Sequence, residues 1–290
     1  MSIKINYSKN TNKTSSNVVI FVNEKFNLGP IKKFLSKFEI SYISDLLKTS
    51  DLKKNLFVFE LNSKKKIILI SIKNNLKTSD IENLGADFYK RVNIGKNCDY
   101  SLISDSIESK QKNFIGYFLH GFKLKSYEFN KYKSKKESRD ININVFGKRN
   151  QPSTKDQLKF KSLEEGTFYT RDLVSEPGNV LHPDEYAKRI KELKKDGLKI
   201  NVYDQKKLKK LGMHALLGVG QGSVRGSYLV TLEWSGASKN SKPLAFVGKG
   251  VCFDTGGYSL KPARFMEDMT YDMAGSATVV GLMKNFAIRK

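Results

Sequence analysis

Residues 247–275 read VGKGVCFDTGGYSLKPARFMEDMTYDMAG and follow an apolar run, Leu244–Val247, that predicts a buried strand. Glycines stand on both sides of Lys249 and just beyond Asp254, at positions 248, 250, 256 and 257. Glycine permits tight turns and lets the backbone approach a ligand or ion closely. The segment is not a phosphate-binding loop, because its Gly-Lys pair lacks the preceding glycine spacing and the following Ser or Thr.

Four charged side chains in this segment have complementary chemistry: Lys249, Asp254, Lys261 and Asp272. Two carboxylates on successive loops can hold divalent cations through hard oxygen ligands. A lysine beside two cations would be driven towards its neutral form and could donate its lone pair, while a second, charged lysine could stabilise an oxyanion. From spacing alone, the plainer interpretation is favoured, in which the lysines are surface charges and the aspartates are caps.

A resemblance to a known family changes that balance. The segment resembles the metal-binding signature of the leucyl aminopeptidase (cytosol aminopeptidase) family, approximately V-G-K-G-[IV]-x-F-D-[ST]-G-G-x-x-[IL]-K-P-x-x-x-M-x-x-M-x-x-D-M-x-G-[AS]-A. Upstream, three further segments resemble the family's connector and its L-G-M and V-G-Q-G-S motifs: residues 171–181, Leu211–Met213 and Val219–Ser223. The resemblance extends over roughly residues 160–290.

The resemblance implies a role for each matched residue. Lys249, Asp254 and Asp272 align with metal ligands, Asp254 being shared by both ions, and Lys261 aligns with the catalytic lysine that binds the scissile carbonyl oxygen. Met269 aligns with a residue that lines the pocket for the first side chain of the substrate. The implied mechanism uses two Mn²⁺ or Zn²⁺ ions that lower the pKa of a bridging water, which then attacks the first peptide bond.

The same resemblance shows what this sequence does not contain. The family's N-T-D-A-E-G-R motif, which carries the remaining metal ligands and the arginine that holds bicarbonate, is missing. We therefore expect a fragment of a longer enzyme, with little peptidase activity by itself. Family members are homohexamers, but much of that interface belongs to the missing part, so the sequence does not predict a hexamer for this chain.

The charge of the chain supports an alternative, a non-catalytic basic binding module. The net charge is +23, which is typical of nucleic-acid partners. Only eight of the 52 basic residues are arginines, however, and the densest run, Lys131–Arg139, contains Glu137. Lysines spread along the chain favour a solvated surface over a nucleic-acid site.

Composition excludes several other classes. Two cysteines rule out a disulfide framework, and three scattered histidines do not predict a histidine metal site. No apolar run approaches the length of a membrane span, and the first ten residues lack the apolar core of a secretory signal. We expect a cytoplasmic protein.

The chain is expected to fold as two α/β domains, a smaller N-terminal domain (1–150) and an incomplete aminopeptidase-type catalytic domain (177–290), joined by a connecting helix (151–176). Alternating strands and helices predict a mostly parallel sheet in the first. The predicted strands are 18–22, 56–61, 66–72, 141–146, 198–203, 228–234 and 244–247, and the predicted helices include 31–38, 80–92, 111–122 and 274–288. A capping box, Ser162 with Glu165, predicts the start of the connecting helix.

Overall fold

The computed structural model describes residues 2–9, 17–92, 98–135, 140–238 and 241–289. Contacts within the chain divide it into two units, Met1–Phe160 and Lys161–Lys290. Both units contain helices and strands, so the predicted α/β class is confirmed. The domain limits at residues 150 and 176 remain predictions.

The first unit is built on a six-stranded sheet with the order β1-β6-β5-β2-β4-β3. The strands are β1 (Ser2–Ser8), β2 (Asn17–Asn23), β3 (Leu56–Glu60), β4 (Lys66–Ile72), β5 (Asp99–Ile103) and β6 (Asp140–Phe146). All neighbouring strands pair in parallel except β3 and β4, which are antiparallel. The predicted, mostly parallel sheet is thus confirmed.

Helices cover both faces of this sheet. Strand β2 is buried on both sides, because Val19 and Phe21 face one apolar cluster whereas Val18 and Ile20 face another. The first cluster includes α2 (Thr78–Val92) and α3 (Phe114–Lys125), and the second includes α1 (Lys37–Lys48). The phenylalanines that repeat every four residues in α3 are fully buried core residues.

The predicted helix over residues 31–38 is wrong. A short 3₁₀ helix, Gly29–Phe34, ends before Ser36, and α1 begins after it. Ser36 and Glu39 form a capping box, in which the hydroxyl accepts from the Glu39 N–H and the carboxylate accepts from the Ser36 N–H at 2.7 Å. This cap divides the apolar pattern, and Phe38 points outward, with 73% of its surface exposed.

The connecting helix α4 spans Thr154–Ser175, so the start predicted at Ser162 is also wrong. Ser162 lies inside the helix, fully buried, and its hydroxyl accepts from the amide of Asn285 at 3.3 Å. The hydroxyl that caps the helix belongs to Ser153, which accepts from the Asp156 N–H at 3.1 Å. A Ser-x-x-Asp sequence thus performs the role that was assigned to Ser162 and Glu165.

Replacing Ser153 with alanine is expected to lower the free energy of unfolding by about 1 kcal/mol, because one free N–H of the first turn loses its partner. Urea denaturation followed by circular dichroism measures this loss. Ser175→Ala is the matched control at the exposed other end of α4, with an expected change within about 0.5 kcal/mol. Equal effects of the two substitutions would contradict the capping role.

The described residues of the second unit contain an antiparallel pair, β7 (Lys199–Tyr203) with β8 (Leu229–Glu233), and five α-helices after α4. These are α5 (Pro183–Glu192), α6 (Gln205–Lys210), α7 (His214–Gly220), α8 (Ala263–Met266) and α9 (Ala274–Arg289). Helices α4, α5 and α9 enclose one apolar cluster with residues of β7 and β8. Helix α5 begins at a proline, and Asp204 caps α6.

The strand predicted at Leu244–Val247 is absent. Residues 242–256 contain neither helix nor strand, and Leu244 and Val247 are 86% and 96% exposed. An apolar run becomes a strand only where another strand satisfies its backbone groups, and the described residues provide none here. The final helix, predicted at 274–288, is confirmed by α9.

In the part of the chain that the structure describes, no helix is both long and apolar enough to cross a bilayer. Of the basic run Lys131–Arg139, residues 131–135 are exposed, as a solvated surface requires, and residues 136–139 lie outside the described ranges.

Candidate metal centre

The predicted site residues lie on two neighbouring segments of the second unit. Lys249, Asp254 and Lys261 belong to the irregular segment between β8 and α8. Asp272 and Met269 belong to a 3₁₀ helix, Glu267–Met273, that leads directly into α9. The irregular backbone follows from the glycines, since Gly256 and Gly257 adopt positive φ angles of 93° and 68°.

The structure brings these side chains together in two groups. Lys249 Nζ donates to Asp272 Oδ1 at 2.6 Å. Lys261 Nζ lies 3.0 Å from Asp254 Oδ2 and 2.9 Å from the sulfur of Met269. Lys249 and Asp272 are 23 positions apart in the sequence, and Lys261 and Asp254 are seven positions apart.

Charge and hydrogen bonding favour the ionised forms of Asp254 and Lys249. The pKa of Asp254 is lowered, first by a hydrogen bond from the Gly256 N–H at 2.9 Å, then by Lys261 and by the charge of Lys249. The pKa of Lys249 is raised, first by its hydrogen bond to Asp272 and further by the charges of Asp272 and Asp254. The two groups therefore influence each other electrostatically.

One oxygen of this site has no protein partner. Asp272 Oδ2 is buried and accepts no hydrogen bond from the described residues, although Oδ1 of the same carboxylate is paired with Lys249. A buried carboxylate oxygen without a partner is costly, and a cation would satisfy it. The donor set of two carboxylates and an amine that must lose a proton suits a divalent metal ion. The described residues contain no group of three or more His, Cys, Asp or Glu side chains that could hold an ion without Lys249.

Apolar packing holds the backbone next to the candidate ligand Asp254. Phe253, beside Asp254, lies against Gly178, where an added Cβ would come 2.9 Å from the ring. Cys252 is buried among apolar side chains, where it packs as a small apolar residue, and burial raises its pKa to about 12. Sequence reasoning missed Tyr186 and Ser276, which contact each other next to Lys249. In the sequence, the one sign of this contact is Ser276, which stands between Gly275 and Ala277 at a position of the family signature that takes Ala or Ser.

Comparison with known proteins agrees with the motifs. The sequence profile of the cytosol aminopeptidase family, catalytic domain, matches residues 168–290. A probable cytosol aminopeptidase of Wolbachia pipientis wMel is 50% identical over 178 residues, which cover 59% of this chain and 35% of that protein. One of Nitrobacter winogradskyi is 41% identical over 220 residues, 74% of this chain and 44% of that protein. The chain thus spans less than half the length of these curated relatives.

A solved structure, described as bottromycin maturation enzyme BotP in complex with Mn, has a related fold. It aligns with a TM-score of 0.72 over 94% of this chain and 56% of that one, at 21% sequence identity. At this identity the likeness establishes the fold alone. The profile match and the identities of 41% and 50% carry the assignment: residues 168–290 match the catalytic domain of the cytosol aminopeptidase family.

Proposed function

We propose that this chain provides part of the active site of a metal-dependent aminopeptidase, which removes N-terminal residues from peptides. The observation that carries the proposal is the convergence of Lys249, Asp254, Lys261 and Asp272 into two adjacent ion pairs within the segment that resembles the family signature. The related fold of a protein described as a Mn complex also supports a divalent metal. A cytoplasmic location is part of the proposal and rests on the relatives' description as cytosol aminopeptidases.

Three side chains would hold the metal ions, Mn²⁺ or Zn²⁺: Lys249, Asp254 and Asp272. When bound, such ions act as Lewis acids that lower the pKa of water and polarise a carbonyl group. Lys249 is in its charged form in the present arrangement, so ligation through Nζ requires loss of a proton. The unpartnered Asp272 Oδ2 is the oxygen best prepared to accept a cation.

Lys261 and Met269 would act on the substrate. The Lys261 ammonium is held by Asp254 and can donate a hydrogen bond to the oxygen of a peptide carbonyl as negative charge develops there. The sulfur of Met269 lies beside the same ammonium, and this proximity supports a role for its flexible apolar side chain in binding the first residue of a peptide. Because the sequence lacks the N-T-D-A-E-G-R segment, we propose little peptidase activity for the chain alone. The comparisons do not favour the basic binding module.

The proposed metal site is tested by titrating the purified chain with Mn²⁺ and following the loss of the free-ion signal by electron paramagnetic resonance. Wild-type chain is expected to bind Mn²⁺, and Asp272→Asn is expected to raise the Kd at least tenfold, because an amide cannot supply the charge of the carboxylate. The matched control is Asp268→Asn, an exposed carboxylate in the same 3₁₀ helix, which should change the Kd less than twofold.

Either of two results would overturn the assignment of the metal ligands: no Mn²⁺ binding by the wild-type chain, or equal Kd values for the two variants. Leucine release from a leucine anilide, measured in the same samples with and without Mn²⁺, tests the expectation of low activity. Substantial metal-dependent release would contradict it.

A further inference from the structure

The start of helix α9 is tied to the backbone of Lys249 by a hydrogen bond. The Ser276 N–H donates to the Lys249 carbonyl at 2.8 Å. The same serine hydroxyl donates to the Met273 carbonyl at 2.8 Å and lies 3.0 Å from the hydroxyl of Tyr186. Since a serine has one hydroxyl hydrogen and it points to a carbonyl, Tyr186 must be the donor in the bond between the two hydroxyls.

Close packing brings the two segments of this junction into direct contact. A Cβ on Gly248 would come 2.5 Å from the Cα of Ser276, and one on Gly275 would come 3.3 Å from the Lys249 nitrogen. The segment carrying Lys249 therefore lies directly on the first turn of α9. Any displacement of that turn moves the Lys249 backbone with it.

Asp272 belongs to the same junction. It lies in the 3₁₀ helix that runs straight into α9, next to Met273, which is only 1% exposed. Both members of the Lys249–Asp272 pair are thus attached, within a few residues, to the point where Ser276 is held. Tyr186 reaches this point from α5, and its side chain belongs to the same apolar cluster.

The hydroxyl of Tyr186 is an expensive group to bury. The side chain is 5% exposed, and burial raises the pKa of its phenol well above the usual range. Phenylalanine would fill the same volume without that cost. The contribution of the hydroxyl is its bond to Ser276, a contact with the junction that carries two candidate metal ligands.

We propose that Tyr186 and Ser276 are positioning residues for the metal site, holding the first turn of α9 so that Lys249 and Asp272 face each other. The proposal rests on the proposed function. It assigns neither residue to the metal or to the substrate, and it predicts that the Tyr186 hydroxyl affects metal affinity through the geometry of the ligands.

The test compares Tyr186→Phe and Ser276→Ala with Tyr228→Phe. Tyr228 is the matched control, because its hydroxyl also donates to a side chain of the same unit, Asp184 Oδ1 at 2.7 Å, and among the described residues it forms no hydrogen bond with Lys249 or Ser276. For Tyr186→Phe and Ser276→Ala, the Kd for Mn²⁺ is expected to rise about fivefold to tenfold. The Kd of the double variant should exceed that of either single variant by no more than twofold. Tyr228→Phe should leave the Kd within twofold. All Kd values are measured where circular dichroism shows folded protein.

A second measurement separates this proposal from the proposed function. Hydrogen exchange of the Ser276 amide, which reports its bond to Lys249, should accelerate in Tyr186→Phe and not in Tyr228→Phe, with or without metal. If wild-type chain binds no Mn²⁺, the proposed function fails and this exchange rate decides the positioning role. Unchanged exchange in Tyr186→Phe, or equal Kd changes in Tyr186→Phe and Tyr228→Phe, would overturn the proposal.

Discussion

Replacing Gly85 with alanine is expected to destabilise the first unit by about 3 kcal/mol, the upper end of the usual cost of overpacking. Gly85 in α2 faces α3 so closely that an added Cβ would come 1.8 Å from the Phe118 carbonyl oxygen. On the opposite side of the contact, a Cβ on Gly121 would come 1.9 Å from the Glu82 carbonyl oxygen. Both obstacles are backbone atoms of helices, so neither can be relieved by rotating a side chain.

Urea denaturation followed by circular dichroism measures this effect. The single tryptophan of the chain, Trp234, lies in the second unit, so its fluorescence transition should move much less than the dichroism transition. Gly218→Ala is the control, because nothing lies within 4 Å of its Cβ position and alanine favours the helix. A loss in Gly85→Ala no greater than in this control would show that α2 and α3 can separate at little cost.

The second large effect is expected from Glu176→Gln, which should destabilise the second unit by about 3 kcal/mol. Glu176 is 3% exposed, and its carboxylate accepts from Arg189 Nη1 at 2.8 Å. Burial acts to lower the pKa of Arg189, but hydrogen bonds to Glu176 and Glu185 raise it overall, so the guanidinium stays charged. Removing the buried negative charge leaves a largely buried cation with an incomplete set of partners.

Trp234 fluorescence during urea denaturation reports this loss. The matched control is Glu185→Gln, which removes the other carboxylate bonded to Arg189, at 2.9 Å, from a side chain that is 28% exposed. Because that carboxylate is partly solvated, its loss should cost about 1 kcal/mol or less. Equal losses for the two variants would contradict the argument from burial.

Local patterns predicted the first unit well wherever a single pattern decided the outcome. Runs such as Val18–Val22 consist of β-branched and aromatic residues, and they became strands because helices cover both faces of the sheet. The helix over 31–38 failed because its apolar spacing continues across Ser36, whose hydroxyl and partner Glu39 begin a new helix. A strong cap overrides a short stretch of periodicity.

The connecting helix shows how two similar signals compete. Ser153 with Asp156 and Ser162 with Glu165 both carry the spacing of a cap, and only the first lies outside the helix. Ser162 satisfies its hydroxyl with Asn285, a residue 123 positions away. That partner depends on how α4 and α9 pack, which the local sequence does not contain.

The candidate site was predicted as a set of residues but not as an arrangement. The signature identified Lys249, Asp254, Lys261 and Asp272, whereas the pairing of each lysine with one aspartate depends on the path of an irregular segment. Tyr186 was not predicted, because its contact with Ser276 joins residues 90 positions apart. Packing between distant elements decides such contacts, and no spacing rule reports them.

The order of strands in the first unit has a consequence for synthesis of the protein. Strand β1 pairs only with β6 among the described strands, and Asn6 meets Asn144, 138 residues further along the chain. At roughly 5 to 20 residues per second, the ribosome needs about 7 to 28 s to make that interval. During that time β6 is not yet made, so the apolar strand that carries Ile3 and Ile5 cannot pair within the chain. We expect this unpaired strand of the nascent chain to bind chaperones or to associate with neighbouring chains.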